Sequence, residues 1–271
     1  MPNAFKIGGI DVIAVSDGEI TMVPTQYFAG TTDEQWSHYK RWLTHDGLST
    51  MPLGCFLIRS GGKTVLIDTG LGNIQADTYK GGALLGDLAA AGVTPEDVDV
   101  VFITHLHADH CGTAAIRDGD TMRPTFPNAT YRWTADENAY WTDPNLKGQI
   151  ARRDIFAAVG GRWQAADGGA SLAPGVDVVS MPGHTPGHAG VVVSSGDERA
   201  FLLGDGIGCP AQLTETEWSG AGDIDPKLAR RMQESLAKEI EGSGALLGAS
   251  HFPGLTLGRV LVGEGKRYWA V

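Results

Sequence analysis

Val98-Asp99-Val100-Val101-Phe102-Ile103-Thr104-His105-Leu106-His107-Ala108-Asp109-His110 is the stretch on which the reading of this chain turns. Val98 to Thr104 reads as a buried β-strand running straight into a cluster of histidines. Side chains two apart on an extended backbone share a side, so His105 and His107 point the same way as the strand ends. Asp109 and His110 arrive where the chain turns toward a helix and can face a second point a few ångström away. Four ligand-type side chains within six residues, directly after an apolar strand, are poorly explained by packing. They are what a metal site needs.

Further ligand candidates recur at later strand ends. His184 lies in Gly183-His184-Thr185-Pro186-Gly187-His188, after the apolar run Val178 to Met181. Asp205 follows Phe201-Leu202-Leu203-Gly204, and His251 follows Leu246 to Ser250. Open α/β sheets place their sites at convergent strand ends, so these residues can meet the first cluster. The adjacent glycines permit tight turns there.

The bulk properties set the frame. The 271 residues are 42% hydrophobic and 20% charged, an ordinary globular balance with room for a core that needs no disulfides. Lys and Arg number 21 against 32 Asp and Glu, a net charge of -11. That sign argues against nucleic acid or an anionic membrane as partner, because phosphate binding needs a basic face. The opening MPNAFKIGGIDVIAVSDGEI has no basic start, apolar stretch and cleavage site in sequence, and no apolar run reaches the ~18 residues of a membrane helix. Cytoplasmic location is the default expectation. The three cysteines Cys55, Cys111 and Cys209 are widely spaced and imply no disulfide framework, and Cys111 and Cys209 read as small apolar packing residues.

Around the ligand cluster the chain alternates short β-type runs with helical ones. Phe5 to Ile10 and Asp11 to Val15 read as the first strands. Leu53 to Arg59, Gly61-Gly62 and Lys63 to Asp68 read as a hairpin. Gly82 to Ala91 reads as a helix stopped by Gly92, and Thr94 to Asp97 as a helical turn. Ala129 to Trp133, Val176 to Ser180, Gly190 to Ser194, Ala200 to Gly204 and Ala245 to Ala249 read as strands. Arg259 to Val262 and Lys266 to Val271 can pair as a last hairpin. Asp225-Pro226 caps a helix whose Leu228, Met232, Leu236 and Ile240 fall at i+4 intervals. One domain over 1–271 is the simplest organisation, with strands feeding loops and helices outside. Two stretches, near 21–52 and 140–165, lack a strand rhythm and carry aromatics, among them Phe28, Trp36, Tyr39, Trp42, Tyr140, Trp141, Phe156 and Trp163. They read either as lids or as covers of the outer helices. Their aromatics, if exposed, could support a homodimer. His38 and His45 in the first stretch read as solvated, and Asp118-Gly119-Asp120 as an exposed turn.

The set His-x-His-x-Asp-His, Gly-His-Thr-x-Gly-His, a later Asp and a last His resembles the metallo-β-lactamase superfamily. The resemblance runs in order from Asp68-Thr69-Gly70 to His251. It implies a four-layered αβ/βα sandwich of the α/β class with two metal ions at one edge of its sheets. By this resemblance His105, His107 and His184 hold one metal, Asp109, His110 and His251 the other, and Asp205 bridges them. Asp68 resembles the family's buried aspartate that orients the metal loop, and His188 is expected to shape its loop rather than bind metal.

Five imidazoles and two carboxylates without thiolate suit two Zn2+ ions, with iron, manganese or cobalt also compatible. Two cations roughly 3.5–4 Å apart can hold a bridging water and lower its pKa towards ~7. The resulting hydroxide would attack a carbonyl or phosphoryl centre of a small-molecule substrate, with Asp109 as proton carrier. The branch resembled most is that of acyl-homoserine lactonases and methyl parathion hydrolase, through Phe126-Pro127-Asn128-Ala129, Pro210-Ala211-Gln212-Leu213, Asp223 to Arg231 and His251-Phe252-Pro253-Gly254. True β-lactamases of the superfamily generally lack the bridging aspartate, so Asp205 counts against that activity. Lactonases of this type often carry a Tyr, and their relatives a His, three residues after the bridging Asp, where this chain has Gly208. The expected substrates are lactones or neutral esters. An aryl phosphotriesterase and a mononuclear iron oxygenase of a thiol-derived substrate are the alternatives.

Overall fold

The computed structural model describes residues 2–146 and 150–271. Among them two large sheets face each other. The first runs Ala4–Ile7, Ile10–Met22, Ser49–Ser60, Lys63–Ile67, Val100–Phe102, Thr130–Trp133, Trp163–Ala165, with Tyr79–Lys80 paired beside Ile10–Met22. The second runs Ser171–Ala173, Val176–Ser180, Ala189–Ser195, Glu198–Leu202, Leu246–Gly248, Gly258–Gly263, Lys266–Ala270. Val100–Phe102 lies parallel to both its neighbours, and Glu198–Leu202 pairs parallel with Leu246–Gly248. These central parallel strands end on the same side, where the ligand candidates begin.

The period-two alternation of the strands builds the layers. Phe56, Ile58, Val65, Ile67 and Phe102 meet Val176, Val178, Val191, Val193 and Leu202 between the sheets. Their sequence neighbours Leu57, Leu66 and Val101 point outward, into a cluster with Leu84, Leu88 and Val159 from helices Leu84–Ala90 and Ile150–Val159. On the other side Phe201 and Leu247 face Leu236, Ala237 and Ile240 of helix Pro226–Ile240. The result is helix, sheet, sheet, helix: the four-layered αβ/βα sandwich. No described helix is long and apolar enough to cross a membrane.

Several local readings differ from expectation, and Trp163–Ala165 is an edge strand inside the second aromatic stretch. The second strand does not stop at Val15 but continues to Met22 through an irregularity between Ser16 and Glu19. There Asp17 turns inward, and its buried carboxylate accepts the backbone N–H groups of Leu71, Gly72, Gly82 and Leu84 at 2.8–3.1 Å. In helix Pro226–Ile240 the buried face is Ala229, Gln233, Leu236, Ala237 and Ile240. A strict i+4 row drifts by about 40° per step around a helix of 3.6 residues per turn, so Leu228 and Met232 lie at its edge. Asp118-Gly119-Asp120 is the expected turn, but it joins an unanticipated hairpin of Ala115–Asp118 and Thr121–Pro124.

The two aromatic stretches have different fates. In the second, Phe156 and Trp163 pack on Trp133, at ring-centroid distances of 5.9 and 5.6 Å, and cover the outer face of the first sheet. Residues 147–149 of that stretch lie outside the described residues. In the first, Phe28, Trp36 and Tyr39 turn inward and build a separate cluster with Trp218, Cys209 and Ala211. Trp36 and Trp218 lie 4.8 Å apart. Phe28, Trp36 and Tyr39 are buried, and Trp42 of the same stretch is partly exposed. His38 and His45 are exposed.

Candidate metal centre

Val100–Phe102 is followed by an extended segment and then by the one-turn helix Ala108–Cys111, for which His107 is the extended N-terminal flank. His105 and His107 thus leave an extended backbone, while Asp109 and His110 project from a helical turn. His184 comes from the turn after Val176–Ser180, Asp205 from the end of Glu198–Leu202, and His251 from the segment after Leu246–Gly248. The two sheets bring all seven to one edge.

Their donor atoms converge in overlapping groups. His107 Nδ1 is 2.9 Å from both His105 Nε2 and His184 Nε2. Asp109 Oδ2 is 3.8 Å from His110 Nε2 and 3.5 Å from His251 Nε2. Asp205 stands between: Oδ1 lies 3.2 Å from His110 Nε2 and 3.3 Å from His251 Nε2, while Oδ2 lies 3.4 Å from His184 Nε2. Each of the trios His105/His107/His184, His105/His110/Asp205 and Asp109/His110/His251 could hold an ion.

The chemistry of this donor set fits cations. His110 Nε2 and Asp205 Oδ1 are buried without a hydrogen-bond partner among the described residues, though near one another. Buried polar atoms are rarely left so, and a cation between them satisfies both. Burial drives His105 well below its ordinary pKa and His107 to about 3, so both present neutral lone pairs. Burial opposes protonation of His251 too, but the carboxylates of Asp205 and Asp109 outweigh it and lift that ring to about 10. The same carboxylates, with Asp68, raise His110. The hollow is anionic and demands positive charge.

Three of the five rings are held from behind. Asp68 Oδ2 lies 2.8 Å from His110 Nδ1, and its Oδ1 accepts the Thr104 N–H at 2.8 Å. Asp68 has φ of 62°, a left-handed conformation that aspartate tolerates better than most residues. Asp223 Oδ1 lies 2.8 Å from His184 Nδ1, and the Pro52 carbonyl lies 2.8 Å from His251 Nδ1. His188 Nε2 accepts the Asp205 N–H at 3.1 Å, so it braces the Asp205 backbone and stays outside the three donor groups.

The sequence reading did not anticipate Glu137, Asp223 or the Pro52 carbonyl in these roles. Glu137 is fully buried, and its carboxylate accepts four hydrogen bonds. Leu106 N–H (2.7 Å) and Trp141 Nε1 (2.6 Å) reach one oxygen; Thr185 Oγ1 (2.7 Å) and Gly187 N–H (3.1 Å) reach the other. It ties the His105–His107 loop to the His184 loop. Thr134-Ala135-Asp136-Glu137 carries the spacing of a helix capping box. Thr134 does cap Glu137 N–H at 3.1 Å, but the glutamate side chain turns inward instead of back to the cap. Asp223 opens a motif noted in the sequence, and its partner is given only by the packed structure.

Asp205, Asp109, His107 and His184 lie at the floor of a cavity of about 510 Å³. Ile20, Met22, Leu71, Ile74 and Tyr79 form its apolar flank, and Tyr27 of the first aromatic stretch also lines it.

A sequence model described as the metallo-beta-lactamase superfamily matches residues 54–251, which spans the whole donor set. The chain belongs to the metallo-beta-lactamase superfamily. The N-acyl homoserine lactonase AiiA of Bacillus thuringiensis subsp. kurstaki is 25% identical over 218 residues, 73% of this chain and 81% of the relative. The N-acyl homoserine lactonase AttM of Agrobacterium fabrum is 31% identical over 124 residues, 43% of either chain. Among solved structures, the dizinc quorum-quenching lactonase AidC, in complex with a product, superposes with a TM-score of 0.87 at 25% identity, covering 99% of this chain and 96% of AidC. The hydrolase AbOPH gives 0.84 at 27% identity, again over 99% and 96%. The chain is a metal-dependent hydrolase of this superfamily.

Proposed function

We propose that this hydrolase carries two metal ions and opens lactones or closely related neutral esters, N-acyl homoserine lactones first among them. His105, His107 and His184 would hold one ion, Asp109, His110 and His251 the other, and Asp205 would be shared, with Asp68 and His188 as supports. The observation that carries this reading is the division of Asp205, whose two oxygens face different histidines at the floor of an apolar-flanked cavity. Seven N and O donors in overlapping trios exceed what a single iron needs, and without thiolate they suit zinc. The names of AiiA, AttM and AidC support the substrate class. A net charge of -11 favours a neutral substrate over an anionic one.

Bound there, two divalent cations would supply hydroxide at neutral pH and polarise the carbonyl. In the net reaction one water adds to the carbonyl carbon and the ring C–O bond breaks, leaving a carboxylate, an alcohol and one released proton. Asp109, with side-chain exposure of 21%, is with His107 one of the two partly exposed members of the set, and its carboxylate is placed to carry that proton between the centre and solvent. The apolar flank takes the acyl chain. The chain from 1 to 271 works as one unit in this reading, with Met22 and Tyr27 of the stretch 21–52 on the wall of the cavity, and with Phe156 of the stretch 140–165 covering the sheet outside while Trp141 packs beside His107.

Proton release on mixing metal-loaded protein with N-hexanoyl homoserine lactone, beside a chelated sample, tests the proposal. Rapid release abolished by chelation and restored by zinc is expected. No release from protein carrying two metals per chain would refute the lactone reading.

A further inference from the structure

Tyr27 ends the one-turn helix Pro24–Tyr27, and the first aromatic stretch anchors it firmly. Its carbonyl accepts the Ala221 N–H at 2.6 Å. Its ring meets Phe28 edge-on at 4.7 Å, and Phe28 is itself buried against Trp36 and Trp218. From there the phenol runs past two glycines toward the donor set. A Cβ added at Gly208 would lie 3.1 Å from Tyr27 Oη, and one at Gly220 would lie 3.4 Å from Tyr27 Cε1. The ring is 6.5 Å from the His251 imidazole, edge-on.

The hydroxyl makes no hydrogen bond with any described residue. The nearest side-chain acceptor beside Gly208, Gln212 Oε1, is already engaged by the N–H groups of Gly208 and Cys209 at 2.8 and 3.2 Å. A phenol carries its proton at neutral pH and can donate it. Here is a fixed hydroxyl on the wall of a cavity floored by Asp109 and Asp205, with no acceptor for its proton among the described residues.

We infer that Tyr27 is a catalytic residue whose hydroxyl, admitted by the missing side chain at Gly208, hydrogen-bonds the reacting carbonyl oxygen of the substrate as charge develops on it. The inference rests on the ester-hydrolysing reading of the site. It explains why a bulky phenol is held rigidly by a hydrophobic cluster: a donor aimed where charge develops helps only if it does not have to be reorganised. The residue comes from the amino-terminal stretch, far in sequence from every proposed metal ligand.

The test compares the wild type with Tyr27→Phe, which keeps the ring and its packing. With both loaded to equal metal content, kcat/KM for N-hexanoyl homoserine lactone is expected to fall about 10–100-fold, chiefly through kcat, as for loss of one donor to a charged oxygen. Melting temperature and metal stoichiometry stay at the wild-type values. Binding of hexanoate, a simple carboxylate standing in for the product, is expected to weaken at least about 5-fold by calorimetry. Unchanged kcat and unchanged hexanoate affinity would overturn the role and leave Tyr27 a wall residue. If the wild type opens no lactone while hexanoate still binds more weakly to Tyr27→Phe, the substrate reading fails and the role of Tyr27 stands. Equal hexanoate affinity in that case refutes both.

Discussion

Replacing Glu137 by glutamine changes one oxygen into an NH2 group in a site where every neighbour is a donor. Leu106 N–H and Trp141 Nε1 share one carboxylate oxygen, while Thr185 Oγ1 and Gly187 N–H share the other. Whichever way the amide turns, two of the four hydrogen bonds are lost and donors face donors. Hydrogen bonds to a charged acceptor are each worth about 1.5–3 kcal/mol, so the gross loss is about 3–6 kcal/mol. The amide recovers part of this because burying the carboxylate is costly, as its upward-shifted pKa records. A net destabilisation of about 2–4 kcal/mol follows, or a melting temperature lower by roughly 4–12 °C for a chain of this size. Because Leu106 lies between His105 and His107, and Gly187 follows His184 in the same loop, metal affinity should also drop about 10-fold. Thermal unfolding of chelated protein and competitive zinc titration measure the two effects separately. Chelated Glu137→Gln melting within about 1 °C of wild type, with undiminished zinc affinity, would refute the reasoning.

Asp205→Ala should reduce bound metal from two ions to about one per chain and lower lactone turnover at least about 100-fold; elemental analysis of dialysed protein and initial rates check this. Gly183→Ala places a Cβ 2.3 Å from the Ala229 backbone nitrogen at φ of 137°, so helix Pro226–Ile240 must shift away from the His184 loop. A loss of about 2–4 kcal/mol in denaturant titration is expected, with weaker metal retention. Trp36→Ala empties the centre of the first-stretch cluster, costing about 3–5 kcal/mol, and should raise KM by freeing the wall that carries Tyr27. An unaltered KM would separate that cluster from the cavity.

The donor residues were legible because each ends or follows a strand whose pattern is local. The apolar runs before His105, Asp205 and His251 announce their strands, and the His-x-His spacing dictates a shared direction through backbone geometry alone. The hairpin at Gly61-Gly62 and the cap at Asp225-Pro226 were legible for the same reason: their conformations depend on the few residues they contain. The strand ending at Met22 was cut short in the reading because its alternation breaks at Asp17, whose buried carboxylate answers to Leu71, Gly72, Gly82 and Leu84 rather than to its own neighbours. What the sequence by itself determined is the set of strands that lead to the donors and the types of side chain available to a metal. The tertiary structure alone decided which atoms stand behind them. Glu137 meets Leu106 across 31 residues, His184 meets Asp223 across 39 and His251 meets the Pro52 carbonyl across 199. The placing of Tyr27 against Gly208 belongs with these. Such contacts are set by how two sheets pack and where their loops converge, and no local spacing encodes that geometry.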